Sequence, residues 1–388
     1  MSDHRFLCLD DFEPAARRHL PRPLFEYVSG GVEDNRSREE NRRSFDDWRF
    51  VPRVMVDVSS RSIERRVFDH TWSAPFGIAP MGICALTAYR GDLVLARAAQ
   101  QANIPMIMSG SSLIRLEEVV RINPQAWFQA YLPGRMPDIE ALIERVARAG
   151  FGTLVITVDT PASANRENNL RAGFSTPLRP SLRLAWQGLS HPRWLLGTFL
   201  RTLMTHGMPH FENNAAVRGA PIVSRSIERD MASRGHFTWT HLSQIRSLWK
   251  GRLVVKGILH ADDARHARDA GADGLIVSNH GGRQLDGAVS PLSVLPGIVA
   301  ACPEIVVMMD SGLRRGTDVL KALALGARMV FIGRPFNYAA SVAGDAGTTR
   351  AIDLMAQELL RDIAMLGMTR LEALGPDQLM RLHRVQNH

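Results

Sequence analysis

The apolar positions of the chain fall into short, uninterrupted runs, most of them followed by a helical pattern. The runs are FGIAP (76–80), IPMIMS (104–109), AWFQAY (126–131), LVITVD (154–159), LVVK (253–256), GLIVS (274–278), IVVMMD (305–310) and MVFIG (329–333). A run that is apolar at every position, rather than at alternate ones, predicts a strand buried on both faces. Between them DIEALIERVARAG, ADDARHARDAG and GTDVLKALALG carry a helical period and end in glycine, the usual left-handed stop. Eight such units predict an α/β fold closed into a (β/α)8 TIM barrel. An open, doubly wound sheet is the second reading, and it is weakened because no glycine-rich dinucleotide turn follows an early strand.

Two segments stand outside this repeat within what reads as a single domain over 1–388. Residues 1–70 read as helices plus the turn in PLFEYVSGGVEDN, forming a cap over one end of the barrel. A long insertion, at about 160–250, separates the fourth and fifth strands where most such loops are short.

Polar residues gather where the strands stop: Ser109, Gln129 and Tyr131, Thr157 and Asp159, Lys256, Ser278 and His280, Asp310, and Gly333 with Arg334. In barrels of this kind the C-terminal rim is where active sites are built. DSGLRRGTDVLKALALG and VFIGRPF place Gly312, Arg314, Gly333 and Arg334 after the seventh and eighth strands, the usual phosphate position, where backbone amides and a helix N-terminus meet. Lys256, ending a strand buried on both faces, fits either a fixed cation beside a cofactor or the Schiff-base lysine of a flavin-free aldolase or lyase.

Composition narrows the partners. The 388 residues are 45% hydrophobic with a net charge of +8, which suits an anionic partner. Nucleic acid is disfavoured, because the basic residues are scattered outside one region and no recognisable module is present. Three widely spaced cysteines, Cys8, Cys84 and Cys302, argue against a disulfide framework and for a reducing compartment. The acidic start MSDHRFLCLDDFEP is unlike a signal peptide, and no apolar run is long enough to span a bilayer, so a cytoplasmic location is expected. No metal site is expected.

From FEYVSGGVEDN through IAPMG, WFQAY, TVDTP, VVKGI and SNHGGRQLDG to DSGLRRGTDVLKALALGA and FIGRP, the chain resembles the FMN-dependent 2-hydroxy acid dehydrogenases and oxidases. IAPMGICALTAYRGD, SHPRW and GMPHFENN are most similar to the bacterial membrane-associated L-lactate dehydrogenases and to mandelate dehydrogenase. The resemblance implies FMN as cofactor. It implies that Gln129, Thr157 and Ser109 hydrogen-bond the isoalloxazine ring, and that Ala79, Pro80, Met81 and Gly82 lie against its N5 side. Lys256 is then expected beside N1 and O2, with Ser278 and Asp310 near the cofactor and Gly312, Arg314, Gly333 and Arg334 on its phosphate.

For such a reaction His280 is the expected general base and Asp159 the carboxylate that orients it. Arg283, helped by Arg166, is expected to clamp the substrate carboxylate, and Tyr27 and Tyr131 to donate hydrogen bonds to substrate. Asn169 stands where the family usually has an acid. Ser111 stands where some relatives carry tryptophan, which leaves room for a bulkier acid such as mandelate. Gly82 stands where oxidases tend to carry alanine, so a dehydrogenase rather than a soluble, peroxide-forming oxidase is expected. Residues 168–211 contain no acid but include Arg171, Arg179, Arg183, Arg193 and Arg201 among Trp186, Trp194, Leu195, Leu196, Phe199, Leu200, Leu203 and Met204. That pattern predicts an interfacial segment docking on anionic lipid. The expectation is a peripheral enzyme on the cytoplasmic face of the inner membrane, handing electrons to quinone as a homo-oligomer, a tetramer.

Overall fold

The computed structural model describes residues 5–224 and 235–382. All eight apolar runs form parallel strands, labelled here β1 (Phe76–Ile78), β2 (Ile107–Ser109), β3 (Trp127–Ala130), β4 (Thr153–Thr157), β5 (Arg252–Ile258), β6 (Gly274–Val277), β7 (Val306–Asp310) and β8 (Val330–Ile332). Each pairs with its sequence neighbours, and β8 returns to β1. The circle closes through one parallel bridge between Ile78 and Met106, with the Ile78 amide donating to the Pro105 carbonyl at 2.8 Å. This is the expected (β/α)8 barrel.

Complete burial explains why the runs do not alternate. One set of side chains, including Ile107, Trp127, Val155, Val254, Ile276, Met308 and Phe331, packs into the barrel interior. The alternate set, including Ile78, Met108, Phe128, Leu154, Val255, Leu275 and Val307, packs outward against the helices. Both faces are therefore apolar.

The N-terminal region serves both ends of the barrel, where the sequence suggested a cap over one. An antiparallel hairpin, Arg65–Val67 with His70–Trp72, inserts Val67 and Trp72 into the interior cluster. Phe68 lies 5.8 Å from Trp127 at the start of β3, so the hairpin plugs the N-terminal end. Helices Arg22–Ser29 and Arg36–Arg43 lie instead across the C-terminal mouth. There Val32 N donates to Gly282 O at 3.1 Å, and the amides of Asn41 and Asn279 pair reciprocally at 2.8 and 2.7 Å.

The insertion after β4 carries helices Glu167–Ala172 and Leu182–Leu189, then a helical stretch through Pro192–Trp194, a π-helical turn Leu195–Leu200 and Arg201–His206. Its residues 225–234 lie outside the described residues. Trp194 is not a surface anchor: it is buried, and its indole donates to Leu86 O at 2.8 Å. Leu195 and Phe199 also pack against the core. The apolar side chains left outward are Leu182, Trp186, Leu189, Leu196 and Met204, between 63% and 92% exposed. Among the described residues no helix is long and apolar enough to cross a membrane.

Closure of the barrel tolerates no side chain at Gly77, whose Cβ would fall 2.4 Å from the Pro105 carbonyl oxygen and 2.9 Å from the Phe331 ring. Gly77→Ala is expected to destabilise the fold by about 2 kcal/mol, an overpacking cost. Gly297→Ala, in a helix with nothing within 4 Å of the new methyl, should stabilise it by a few tenths to about 1 kcal/mol. Urea midpoints of the two variants check this, and equal midpoints would contradict tight closure at β1.

Candidate active site

Where β6 ends, the chain reverses through three consecutive left-handed residues, His280, Gly281 and Gly282, with φ of 59°, 69° and 71°. A Cβ on Gly282 would lie 2.4 Å from the Arg38 backbone nitrogen, so only glycine lets the N-terminal chain cross the mouth this closely. The left-handed conformation costs His280 energy, and its surroundings must hold it there. Its amide donates to Ser278 Oγ at 3.0 Å, and its Nδ1 lies 2.9 Å from Asp159 Oδ1. Its Nε2 lies 3.3 Å from the Tyr131 hydroxyl. Ionised Asp159 accepts the Nδ1 proton, so the Nε2 lone pair is left facing Tyr131 and the cleft.

Asp159 reaches this position because Gly257 in β5 yields space. With φ of +111° and a hypothetical Cβ only 2.7 Å from Asp159 Cβ, position 257 accepts no side chain. Burial alone would raise the Asp159 carboxyl, but His280 and Lys256 outweigh it and hold its pKa below the usual value. Burial lowers the His280 pKa, which Asp159 only partly restores. The imidazole is therefore neutral and basic at neutral pH.

Lys256 lies inside the rim, 3.1 Å from Asp310 and 2.9 Å from Ser278 Oγ. Burial would discharge it, yet Asp310 and Asp159 outweigh that and raise its pKa. It is a permanent cation, which removes the free amine that the aldolase reading requires.

Around these groups a cleft encloses about 1130 Å³ up to its open mouth. Tyr27, Ala79, Pro80, Met81, Gly82, Tyr131, Thr157, Arg166, Lys256, His280, Arg283, Asp310, Gly312, Arg314, Gly333 and Arg334 all line it. Four predicted residues do not. Ser109, Gln129 and Ser278 are buried beside it, Ser109 Oγ donating to Gln129 Oε1 at 3.1 Å, and Asp159 stands behind His280.

The cleft is cationic. Arg283 lies over the Tyr27 ring at 5.2 Å and donates to Gly30 O at 2.6 Å, while Arg166 donates to Arg283 O and Gln284 Oε1. Among the described residues neither guanidinium has a carboxylate partner. Burial and Arg166 push the Arg283 pKa down to about 10, so its charge is held at a disadvantage that an incoming anion relieves. Arg334 donates to the carbonyls of Val28, Gly30 and Gly281, and burial with Arg283 nearby pushes it down to about 9. Arg314 pairs with Asp10 at 3.3 Å.

Among the described residues, buried Gln129 Nε2 and Thr157 Oγ1, on adjacent strands, have no hydrogen-bond partner. Orphans of this kind are rare unless a ligand completes them. Together with glycines and arginines after β7 and β8, they fit a planar heterocycle that carries a phosphate.

Three contributors escaped the motif reading. Ser311 (φ of 80°) donates to Asp310 Oδ1 and accepts from Gly281 N, coupling the β6 and β7 loops. Gln284 Nε2 donates to Asp159 O at 3.0 Å. Asp286 accepts from Ser37 N and Asp34 N, pinning the β6 loop to the N-terminal chain. All three lie within quoted motifs, but nothing in the sequence specified their partners.

Comparison with known proteins agrees with this geometry. Residues 16–381 match the family described as FMN-dependent dehydrogenase. The chain is 37% identical over 372 residues to (S)-mandelate dehydrogenase of Pseudomonas putida, covering 96% of this chain and 93% of that one. It is 38% identical over 379 residues to L-lactate dehydrogenase of Stenotrophomonas maltophilia (strain R551-3), covering 96% and 98%. The crystal structure of monotopic membrane protein (S)-mandelate dehydrogenase superposes with a TM-score of 0.88 at 35% identity, covering 98% of this chain and 100% of that one. The protein belongs to the FMN-dependent dehydrogenase family, and is an enzyme that uses FMN.

The electrostatics yield a signed expectation. His280 should take up its proton below the ordinary histidine pKa of 6.5, and Asp159→Asn should move that midpoint lower still, because the stabilising carboxylate is lost. NMR titration of ring-labelled histidine in the holoenzyme reads both. An upward shift in the Asp159 variant would contradict the assignment.

Proposed function

We propose that the enzyme oxidises an L-2-hydroxy acid, lactate or a bulkier acid such as mandelate, to the 2-oxo acid and passes the electrons to a membrane quinone. The observation that carries this reading is an imidazole backed by a carboxylate, sharing a cleft with two guanidinium groups that, among the described residues, have no carboxylate partner. Arg283, with Arg166, binds the substrate carboxylate, and Tyr27 and Tyr131 donate hydrogen bonds to it and to the hydroxyl. His280 Nε2 removes a proton from substrate, and Asp159 stabilises the imidazolium that results. Bound FMN supplies the two-electron acceptor. Gln129 and Thr157 present their unpaired groups to it, supported by Ser109 and Ser278, and Ala79, Pro80, Met81 and Gly82 form the floor. Lys256, held charged by Asp310, offsets negative charge gained on reduction. Gly312, Arg314, Gly333 and Arg334 bind the phosphate.

Substrate breadth rests on Ser111, a small side chain lining the cleft where some relatives carry tryptophan. The acceptor reading rests on the insertion. Leu182, Trp186, Leu189, Leu196 and Met204 point outward from a segment rich in arginine, as an interfacial element on anionic lipid requires. We place the enzyme, as a homotetramer, on the cytoplasmic face of the inner membrane.

His280→Asn should retain FMN while slowing anaerobic flavin reduction by about 10²–10⁴, the usual loss for a general base. Arg283→Met should chiefly raise the substrate KM. Normal flavin reduction in the His280 variant would remove it from the mechanism.

Replacing 168–211 by a short polar linker should release the enzyme from membranes while leaving activity with a water-soluble acceptor. Unchanged fractionation would mean that the segment is not the anchor.

A further inference from the structure

On the outer surface, away from the catalytic cleft, helix Phe12–His19 and the 190–193 turn of the insertion face each other across a second basin. It encloses about 1260 Å³ including its open mouth. Among the described residues, Arg5, Arg18, His19, His191 and Arg193 line it, against a single acid, Asp11. That acid is already engaged, because its Oδ2 accepts from Leu7 N at 2.7 Å and Cys8 N at 3.0 Å.

The basic groups are otherwise disposed. Among the described residues, Arg18 and Arg193 have no carboxylate or hydrogen-bond partner, whereas surface arginines elsewhere, such as Arg97, Arg135 and Arg268, are paired with acids. Nδ1 of His191 lies 2.8 Å from Gln187 O and donates to it, which leaves Nε2 for another partner. Burial, and to a lesser degree Arg193 and His191, lower the pKa of His19. A concavity in which Arg18 and Arg193 are both left without a carboxylate partner among the described residues is a poor arrangement for the protein alone and a good one for a phosphate.

Its position selects the source of that phosphate. Leu189 and Leu196, on either side of the 190–193 turn, are 64% and 63% exposed and belong to the outward apolar face of the insertion. A group held between Arg18 and Arg193 therefore sits at the edge of that face, where a lipid headgroup would lie when its acyl chains meet Leu189 and Leu196.

We propose that this basin binds the phosphate of an anionic phospholipid, so that the N-terminal helix and the insertion together form the membrane-facing surface. The inference rests on the docking reading above and adds to it a discrete headgroup site. It assigns to helix Phe12–His19 a role beyond covering the barrel.

The test compares vesicles of phosphatidylcholine alone with vesicles containing phosphatidylglycerol, read by co-sedimentation of the FMN-loaded enzyme. Arg18→Gln combined with Arg193→Gln should weaken binding to the anionic vesicles by roughly tenfold or more, given the usual contribution of a basic residue at such a surface. Binding to neutral vesicles and turnover with a water-soluble acceptor should not change. Arg183→Gln combined with Arg201→Gln removes the same charge from the same insertion but outside the basin, and should weaken binding clearly less than the Arg18/Arg193 pair. Equal losses in the two double variants would reduce the effect to diffuse attraction and overturn the site. Tight binding of inorganic phosphate, lost in the Arg18/Arg193 variant without any change in vesicle binding, would assign the basin to a soluble anion instead. Failure of the unmodified enzyme to bind either vesicle would overturn the docking reading itself.

Discussion

A carboxylate and an imidazole held 2.9 Å apart inside the mouth of an apolar barrel set the terms for the surrounding structure. Two ionisable groups in such a place are stable only if geometry and neighbours compensate for lost hydration. Glycine at 257 admits Asp159, the left-handed turn at 280–282 delivers the ring, whose Nδ1–H the carboxylate accepts, and Lys256 adds the positive charge that helps keep the carboxylate ionised. The result is a base whose tautomer is fixed before substrate arrives, so little reorganisation is left for the reaction itself.

The rest of the mouth is built around the opposite sign. Arg166, Arg283, Arg314 and Arg334 converge on one cleft, and much of their hydrogen bonding goes to backbone carbonyls of Val28, Gly30 and Gly281. The N-terminal chain therefore does more than cover the barrel. It supplies the carbonyls that hold the guanidinium groups apart and aimed inward, and it seals the site from one side. An FMN phosphate and a substrate carboxylate are the two anions that such a cleft accommodates, which makes cofactor and substrate part of its electrostatic balance.

The barrel was legible because burial on both faces leaves a mark on every strand: each run from FGIAP to MVFIG overlaps an observed strand, with β4 and β5 beginning a residue early and β5 running two residues further. The rim was legible for the same reason, since a polar residue ending an apolar run stands out. Less visible was direction. Ser109, Gln129 and Ser278 end strands just as Thr157 and Lys256 do, yet of the five only Thr157 and Lys256 line the open cleft, the others being buried beside it. Trp194 reads as a surface anchor by composition, and only the carbonyl of Leu86, 108 residues away in sequence, explains why it is buried. Asn41 and Asn279 are separated by 238 residues, and neither carries any local sign of its partner. Contacts set by the closure of the barrel leave no periodicity to read.

The central claim is that Asp159 acts only through His280. A double-mutant cycle on anaerobic flavin reduction tests it most directly, using Asp159→Asn, His280→Asn and the combined variant in FMN-loaded enzyme. If the carboxylate works by orienting and stabilising the imidazole, the combined variant should be no slower than His280→Asn alone, because the two losses share one cause. Fully multiplicative losses would show Asp159 acting independently of His280 and would contradict this account of the site.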